Sequence, residues 1–171
     1  MSRLSSSPER KTMQLSTLGY GRWPVASRLT KMLDALRREH VDVLIDIRHS
    51  PCPSQIKDHP IYGPRPWHLQ AGTAGLRSEL KAANIDYLWL VELGNPQKVD
   101  PEMRVLREHL AQASEQWPVQ RGLRLLRQLV AEGAKHCCLL CACKDYEDCH
   151  RKLIAEALQE RLPGLELVDL R

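Results

Sequence analysis

Apolar residues recur along the chain with two spacings, one typical of buried strands and one typical of amphipathic helices. Short apolar or alternating runs predict strands over Met13–Leu18, Val41–Arg48, Ile85–Val91, His136–Ala142 and Leu165–Leu170. Between them, apolar residues three or four positions apart predict five helices. The order β, α, β, α, β, α, α, β, α, β favours a three-layer, Rossmann-like α/β fold, in which helices cover both faces of a mainly parallel five-stranded sheet.

The first four predicted helices begin and end at clear signals. The first covers Val25–Arg38, the second lies around Thr73–Ala83, the third begins at Pro101, and Pro118 separates the third from the fourth.

The fifth helix is the most informative because it follows a cysteine-rich strand. Asp145 is its predicted N-cap, and Pro163 with Gly164 ends the helical pattern. Helical spacing then directs Cys149 and His150 to the core side, near the carboxyl end of the preceding strand.

Two segments show no periodicity. Met1–Lys11 contains serines, charges and a proline, which predicts a disordered tail before a single α/β domain over residues 12–171. His49–Gly72 contains five prolines and is predicted to be a loop. Loops of this length are often functional, so a substrate-covering loop and a solvated surface loop both fit.

The amino-acid composition indicates the cellular compartment in which the protein is expected. Six cysteines in 171 residues are too few for a disulfide scaffold, which favours a reducing compartment. The tail lacks the apolar stretch of a signal peptide, and no apolar run reaches membrane-spanning length. We therefore predict a cytoplasmic protein without membrane contact. The net charge of +4 is spread along the chain, so it permits nucleic-acid binding without arguing for it.

The strand, turn and helix over residues 139–151 concentrate reactive side chains. This segment holds three of the six cysteines, Cys141, Cys143 and Cys149, followed directly by His150. Three interpretations are open. The cysteines are small buried core residues, or they form a Cys₃His metal site with His150, or one of them is a reactive thiol at a helix N-terminus.

A charged pair on the second strand marks another candidate position. Asp46 and Arg48 are two residues apart and therefore share one side of the strand. The carboxyl end of a parallel strand is where open α/β sheets usually bind ligands, so this pair is expected near a binding site.

Four sequence blocks follow one another along the chain. They are Thr17-Leu18-Gly19-Tyr20, Leu44-Ile45-Asp46-Ile47-Arg48, Tyr87 with Leu93-Gly94-Asn95-Pro96, and Leu139-Leu140-Cys141 with Cys149-His150-Arg151. In this order they resemble the family called domain of unknown function 488, of which the Cys-His-Arg block is the most specific feature. The resemblance implies a small Rossmann-like fold and no settled activity. That family usually has an acidic residue at the position of Cys143, so the resemblance implies no metal ligand there.

The blocks fall at the carboxyl ends of successive predicted strands, and we expect the functional site at that edge of the sheet. The residues predicted to form it are Tyr20, Asp46, Arg48, Cys141, Cys149, His150 and Arg151. No metal ligand is assigned, and no cofactor is identified.

Each of these side chains has an expected role. Arg48 and Arg151 are candidates for binding a phosphate or carboxylate, with Tyr20 nearby. His150 is a candidate general acid or base that Asp46 orients. The thiols of Cys141 and Cys149 complete the predicted catalytic group. Alternatively, Asp46 and Arg151 form a buried ion pair that joins strand to helix.

Three functions remain open on the sequence. The first is a small enzyme acting on a phosphate-bearing substrate, a nucleotide or a nucleic acid, although the acidic turn 145–148 would repel a phosphate at that helix end. The second is cysteine-dependent sulfur or phosphoryl transfer, because an Asp-x-Arg strand followed by a strand ending in cysteine is similar to rhodanese-like proteins. The third is a non-catalytic nucleic-acid-binding module using Arg121, Arg124 and Arg127, residues that equally fit a solvated helix face. Oligomeric state is open as well.

Overall fold

The structure is a computed structural model that describes residues 13–49, 75–96, 99–132 and 135–171. The predicted tail, and the predicted loop beyond His49, lie outside these residues. The strands of the described part are β1 (Gln14–Gly19), β2 (Val43–Asp46), β3 (Asp86–Trp89), β4 (Cys137–Cys141) and β5 (Glu166–Leu170). All five strand predictions are therefore confirmed, with ends that differ by no more than about two residues.

The helices of the described part follow the predicted order. They are α1 (Val25–Arg38), α2 (Leu76–Ala82), α3 (Arg104–Ala111), α4 (Pro118–Ala131) and α5 (His150–Arg161). Short 3₁₀ helices at Tyr20–Arg22 and Val91–Leu93 follow β1 and β3. Among the residues that the structure describes, no helix is long and apolar enough to cross a lipid bilayer.

Two helices begin later than the sequence predicts. Helix α3 begins at Arg104 and not at Pro101, because the Asp100 carboxylate accepts hydrogen bonds from the amides of Arg104 and Val105 at 2.9 and 3.0 Å. Helix α5 begins at His150, so the prediction of Asp145 as its N-cap is wrong.

The N-cap of α5 is Cys149, whose sulfur takes the role expected of an aspartate. Its Sγ accepts a hydrogen bond from the backbone amide of Arg151 at 3.5 Å. Asp145 and Asp148 instead lie exposed in the irregular turn between β4 and α5. The predicted burial of Cys149 and His150 is nevertheless confirmed.

All strands of the sheet are parallel, in the order β3-β2-β4-β1-β5. Successive side chains of β2 and β4 alternate between two apolar cores. One core joins the sheet to α1 and α2 and includes Leu44, Cys138 and Leu140. The other joins it to α3, α4 and α5 and includes Ile45, Cys137 and Leu139. The predicted three-layer α/β fold with helices on both faces is thus confirmed.

This topology places a switch point at the carboxyl edge of the sheet. The neighbouring strands β1 and β4 pair along their length, ending with Gly19 opposite Cys141. The helix after β1 packs on one face of the sheet and the helix after β4 on the other. Such divergence is the switch point at which open α/β sheets bind ligands. It places the cysteine-rich turn at the expected edge.

Candidate functional site

Three cysteines and one histidine converge where β4 ends. The Sγ atoms of Cys141, Cys143 and Cys149 all lie within 4.8 Å of one another. The thiol of Cys141 donates a hydrogen bond to Sγ of Cys143 at 3.6 Å. Nδ1 of His150 lies 3.6 Å from Sγ of Cys141 and 3.9 Å from Sγ of Cys149. We call these four side chains the sulfur centre.

The ring orientation of His150 is determined by the neighbouring strand β2. Its Nε2 lies 2.8 Å from the backbone carbonyl of Ile47, the residue that follows β2. A carbonyl oxygen can only accept a hydrogen bond, so Nε2 carries the proton and donates it. The other ring nitrogen, Nδ1, then directs a lone pair toward the thiols in the neutral imidazole.

The three thiols do not ionise alike. Hydrogen bonds from Cys141 and Cys149, with the nearby charges of His150 and Arg151, outweigh burial and lower the pKa of Cys143 to about 2. The bond to Cys143 raises the pKa of Cys141 to about 11, and bonds to both other cysteines raise that of Cys149. Burial lowers the pKa of His150, but its hydrogen bond to Cys149 and the charge there outweigh burial, and that pKa is raised. Negative charge therefore concentrates on Cys143.

The members of the sulfur centre differ in their access to solvent. Cys141, Cys149 and His150 are buried, with exposed fractions of 3%, 1% and 4%. Cys143 is half-buried, because it lies in the turn after β4 and not in a strand or helix. Cys143 is therefore the most accessible of the three cysteines to a molecule from solvent.

Asp46 and Arg48 form a second cluster, beside the sulfur centre. The Arg48 side chain donates from Nε and Nη2 to the Asp46 carboxylate, and the Arg48 amide donates to the same carboxylate. The hydroxyl of Tyr87 donates to Asp46 at 2.8 Å, and that of Tyr20 accepts from Nη1 of Arg48 at 3.2 Å. Burial lowers the pKa of Arg48, but Asp46 more than offsets this and raises it. The Arg48 guanidinium is thus held against the Asp46 carboxylate by several hydrogen bonds.

The two clusters are joined through the backbone after β2. The carbonyl of Ile47, between Asp46 and Arg48, accepts from His150, and the Ile47 amide donates to the carbonyl of Leu140 at 3.1 Å. The carbonyl of Arg48 accepts from Nε1 of Trp89 at 2.9 Å. The segment that orients His150 is therefore held by hydrogen bonds from three elements.

Arg151 lies beside the turn that carries Cys143 and is bonded to the protein's own oxygens. Its guanidinium is fully buried and donates to the carbonyl of Cys143 at 3.2 Å and to the Asp169 carboxylate at 3.5 Å. Asp169 also accepts from the hydroxyl of Thr17 at 2.8 Å and from Arg22 at 3.0 Å. Arg151 therefore joins the cysteine-rich turn to β5.

Six of the seven predicted site residues form two groups, and Arg151 is bonded separately to Cys143 and Asp169. Cys141, Cys149 and His150 come together as expected, and so do Tyr20, Asp46 and Arg48. The alternative ion pair between Asp46 and Arg151 is wrong, because each charge has another partner. Arg121, Arg124 and Arg127 are exposed, which agrees with a solvated helix face.

Three residues that the sequence left out of the site belong to it. Cys143 is a member of the sulfur centre, and its Cys-x-Cys spacing with Cys141 was the available signal. Tyr87 bonds to Asp46, and Asp169 bonds to Arg151. An aspartate within the otherwise apolar run Leu167-Val168-Asp169-Leu170 was a signal that this side chain has a buried partner.

The geometry favours sulfur chemistry over anion binding. The two arginines proposed to bind a phosphate are buried and directed at carboxylates and carbonyls of the protein itself. The sulfur centre instead offers a half-buried thiol, two buried thiols and an imidazole lone pair. Such a group can act as a nucleophile or ligate a soft metal ion.

Comparison with known proteins gives one result. A family model described as domain of unknown function DUF488 matches residues 64–158, more than half of the chain. The match includes β3, β4, the cysteine-rich turn and most of α5. Comparisons with curated proteins and with solved structures find no match.

Proposed function

The chain belongs to the family described as domain of unknown function DUF488, and from the geometry of its sulfur centre we propose that it is an enzyme of cysteine-dependent sulfur transfer. Cys143 is the nucleophile. The family assignment confirms the resemblance on which the sequence analysis drew, and its description names no reaction.

The observation that carries this proposal is the position of Cys143 within the sulfur centre. Among the cysteines of the described residues, Cys143 alone is not fully buried, and its Sγ accepts a hydrogen bond from the thiol of Cys141. The thiolate is the reactive form of cysteine, and a sulfur that accepts such bonds is stabilised in that form. Accessibility and thiolate character thus coincide at one residue.

The transfer follows from the chemistry of a thiolate. The Cys143 thiolate attacks the outer sulfur of a persulfide donor, R–S–SH, and the new S–S bond forms as the donor's S–S bond breaks. The donor leaves as a thiolate with the bonding electron pair. An acceptor thiolate then attacks the outer sulfur of the Cys143 persulfide, which regenerates the Cys143 thiolate.

The site fits the transfer of a sulfur atom better than the transfer of a phosphoryl group. Phosphoryl transfer requires cations directed at the phosphate oxygens, whereas Arg48 and Arg151 bond to the protein's own oxygens. The turn after Cys143 also exposes Asp145, Glu147 and Asp148 near the start of α5. A persulfide carries at most one negative charge and needs no set of cations directed at phosphate oxygens.

Mass spectrometry after a single turnover tests the proposal. The reduced protein is mixed with N-acetylcysteamine persulfide, and we expect the mass of one sulfur atom to be added to the peptide that contains Cys143. Release of this sulfur to an added thiol should follow. Cys143→Ser should abolish both steps, whereas Ala142→Ser, at the neighbouring exposed position of the same turn, should leave them unchanged.

Two results would overturn sulfur transfer. One is persulfide formation at the same rate in Cys143→Ser as in the native protein. The other is a native protein whose Cys143 gains no sulfur while it still reacts with iodoacetamide, since that thiol would be accessible but inactive toward persulfides.

A further inference from the structure

We infer that the sulfur centre binds a zinc ion, with Cys141, Cys143 and Cys149 as thiolate ligands and Nδ1 of His150 as the fourth ligand. This inference rests on the proposed function, because it names the cofactor that holds the Cys143 thiolate. It returns to the Cys₃His interpretation that the sequence left open, now supported by the spacing of the three sulfurs.

The distances match a tetrahedral site. Zinc binds sulfur at about 2.3 Å and imidazole nitrogen at about 2.0 Å, so tetrahedral geometry separates two sulfurs by about 3.8 Å and a sulfur from a nitrogen by about 3.6 Å. Cys141 and Cys143 are 3.6 Å apart, and the third sulfur lies within 4.8 Å of both. Nδ1 of His150 is 3.6 and 3.9 Å from two of the sulfurs. The three sulfurs are therefore already spaced for one metal ion, and the imidazole stands at ligand distance from two of them.

His150 also has the outer contact that metal-binding histidines show. Its Nε2–H donates to the carbonyl of Ile47 at 2.8 Å, which directs the lone pair of Nδ1 toward the sulfurs of Cys141 and Cys149. A backbone carbonyl in this role fixes both the tautomer and the ring orientation of a ligand. The imidazole is thus already oriented for metal binding.

The surroundings of the sulfur centre balance its charge. Three thiolates and one zinc ion carry a net charge of −1. Arg151 and Arg22 share the single carboxylate of Asp169, which leaves one positive charge beside the turn that carries Cys143. The amide of Arg151, in the first turn of α5, donates to Sγ of Cys149. A buried thiolate needs such compensation, whereas three buried neutral thiols would not.

Zinc and the reactivity of Cys143 are compatible. Zinc replaces the thiol proton and keeps the sulfur in its thiolate form near neutral pH. Cys143 is half-buried and so keeps some contact with solvent. Zinc is favoured over calcium or magnesium because those ions take oxygen ligands and not thiolates.

Metal analysis of the untagged, reduced protein tests the inference. We expect one equivalent of zinc per chain after purification. Cys141→Ser and Cys149→Ser should each weaken zinc binding by at least about 100-fold, measured by competition with a chromophoric chelator. The matched control is Cys137→Ala, at the opposite end of β4, which should bind zinc as the native protein does.

Cobalt substitution of the native protein gives a second measurement that needs no variant. Tetrahedral cobalt(II) with three thiolates should give an intense thiolate-to-metal band in the near ultraviolet, together with strong visible bands. A reduced protein that contains no zinc and gives no such cobalt spectrum would overturn the inference, and so would undiminished zinc binding by Cys141→Ser.

Failure of this inference and failure of the proposed function give different results. A zinc-free protein whose Cys143 accepts sulfur would overturn the zinc site alone. A protein that binds one zinc ion through these residues but transfers no sulfur would overturn the proposed reaction alone.

Discussion

At the scale of single residues, the charged pair at the end of β2 shows how a buried charge is tolerated. Asp46 has no exposed surface, and its carboxylate accepts hydrogen bonds from the Arg48 side chain, the Arg48 amide and the Tyr87 hydroxyl. A buried ion pair is stable only when hydrogen bonds of this kind satisfy its remaining oxygens and protons. The pair therefore fixes the backbone that holds His150.

Replacing Asp46 by asparagine should destabilise the protein strongly. Asp46→Asn leaves the Arg48 guanidinium buried without a carboxylate, which should lower the free energy of unfolding by about 3–5 kcal/mol in urea denaturation. The control is Asp86→Asn, which removes an exposed ion pair with Lys135 and should leave stability almost unchanged. If the two variants lost the same free energy of unfolding, the buried Asp46–Arg48 pair would contribute no more to stability than the exposed pair does.

At the residue level, the sequence predicts which side chains lie close together but not which partner each one bonds. Two residues two positions apart on a strand share a side, so the neighbourhood of Asp46 and Arg48 was predictable. The pattern does not say whether such a pair faces a ligand or bonds internally. For Arg151 the deciding partner, Asp169, lies on the next strand along the chain, and no local spacing links the two.

At the scale of elements, the turn between β4 and α5 is held tightly against the end of β1. A Cβ atom at Gly19 would lie 2.1 Å from the carbonyl oxygen of Cys143 and 2.5 Å from Nη1 of Arg151. Only a residue without a side chain permits this approach. Gly19 therefore sets the position of the turn that carries Cys143.

Gly19→Ala should displace Cys143 as well as destabilise the fold. The added methyl group should lower the free energy of unfolding by about 1–3 kcal/mol and slow persulfide formation at Cys143. The control is Gly164→Ala, where φ is +87° but no heavy atom lies within 4 Å of the new Cβ. That variant should lose about 1–2 kcal/mol through backbone strain and keep the native rate at Cys143. If persulfide formation slowed equally in both variants, the position of the Cys143 turn would not explain the slower rate of Gly19→Ala.

The start of α5 explains why one element boundary was mispredicted. Asp145, followed three residues later by Asp148, fits the usual capping pattern, and cysteine is not among the preferred N-cap residues. The actual cap, Cys149, is held at that position by its sulfur and imidazole neighbours. A tertiary cluster has therefore overridden a local capping signal.

At the scale of the whole molecule, alternation of strands and helices was enough to predict the layers but not the order of strands. Apolar runs at β2 and β4 indicated strands covered on both faces, and the structure buries every residue of both. Strand order depends on long-range pairing, which periodicity does not encode. The sulfur centre was partly predictable because its members span only residues 141–150, whereas its link to Ile47 required the sheet.

That strand order also has a consequence for synthesis of the protein on the ribosome. β1 pairs only with β4 and β5 among the described strands, and these are the last two of the sheet to be made. A nascent chain that has reached α4 therefore carries β1 without a hydrogen-bonded neighbour, and β2 bonded only to β3. We expect chains truncated after residue 132 to be digested rapidly by protease, whereas the full chain resists. Comparable resistance of the truncated chain would mean that β1 pairs with another strand before β4 is made. Rapid digestion of the truncated chain would mean that the sheet forms only after β4, its central strand, has left the ribosome.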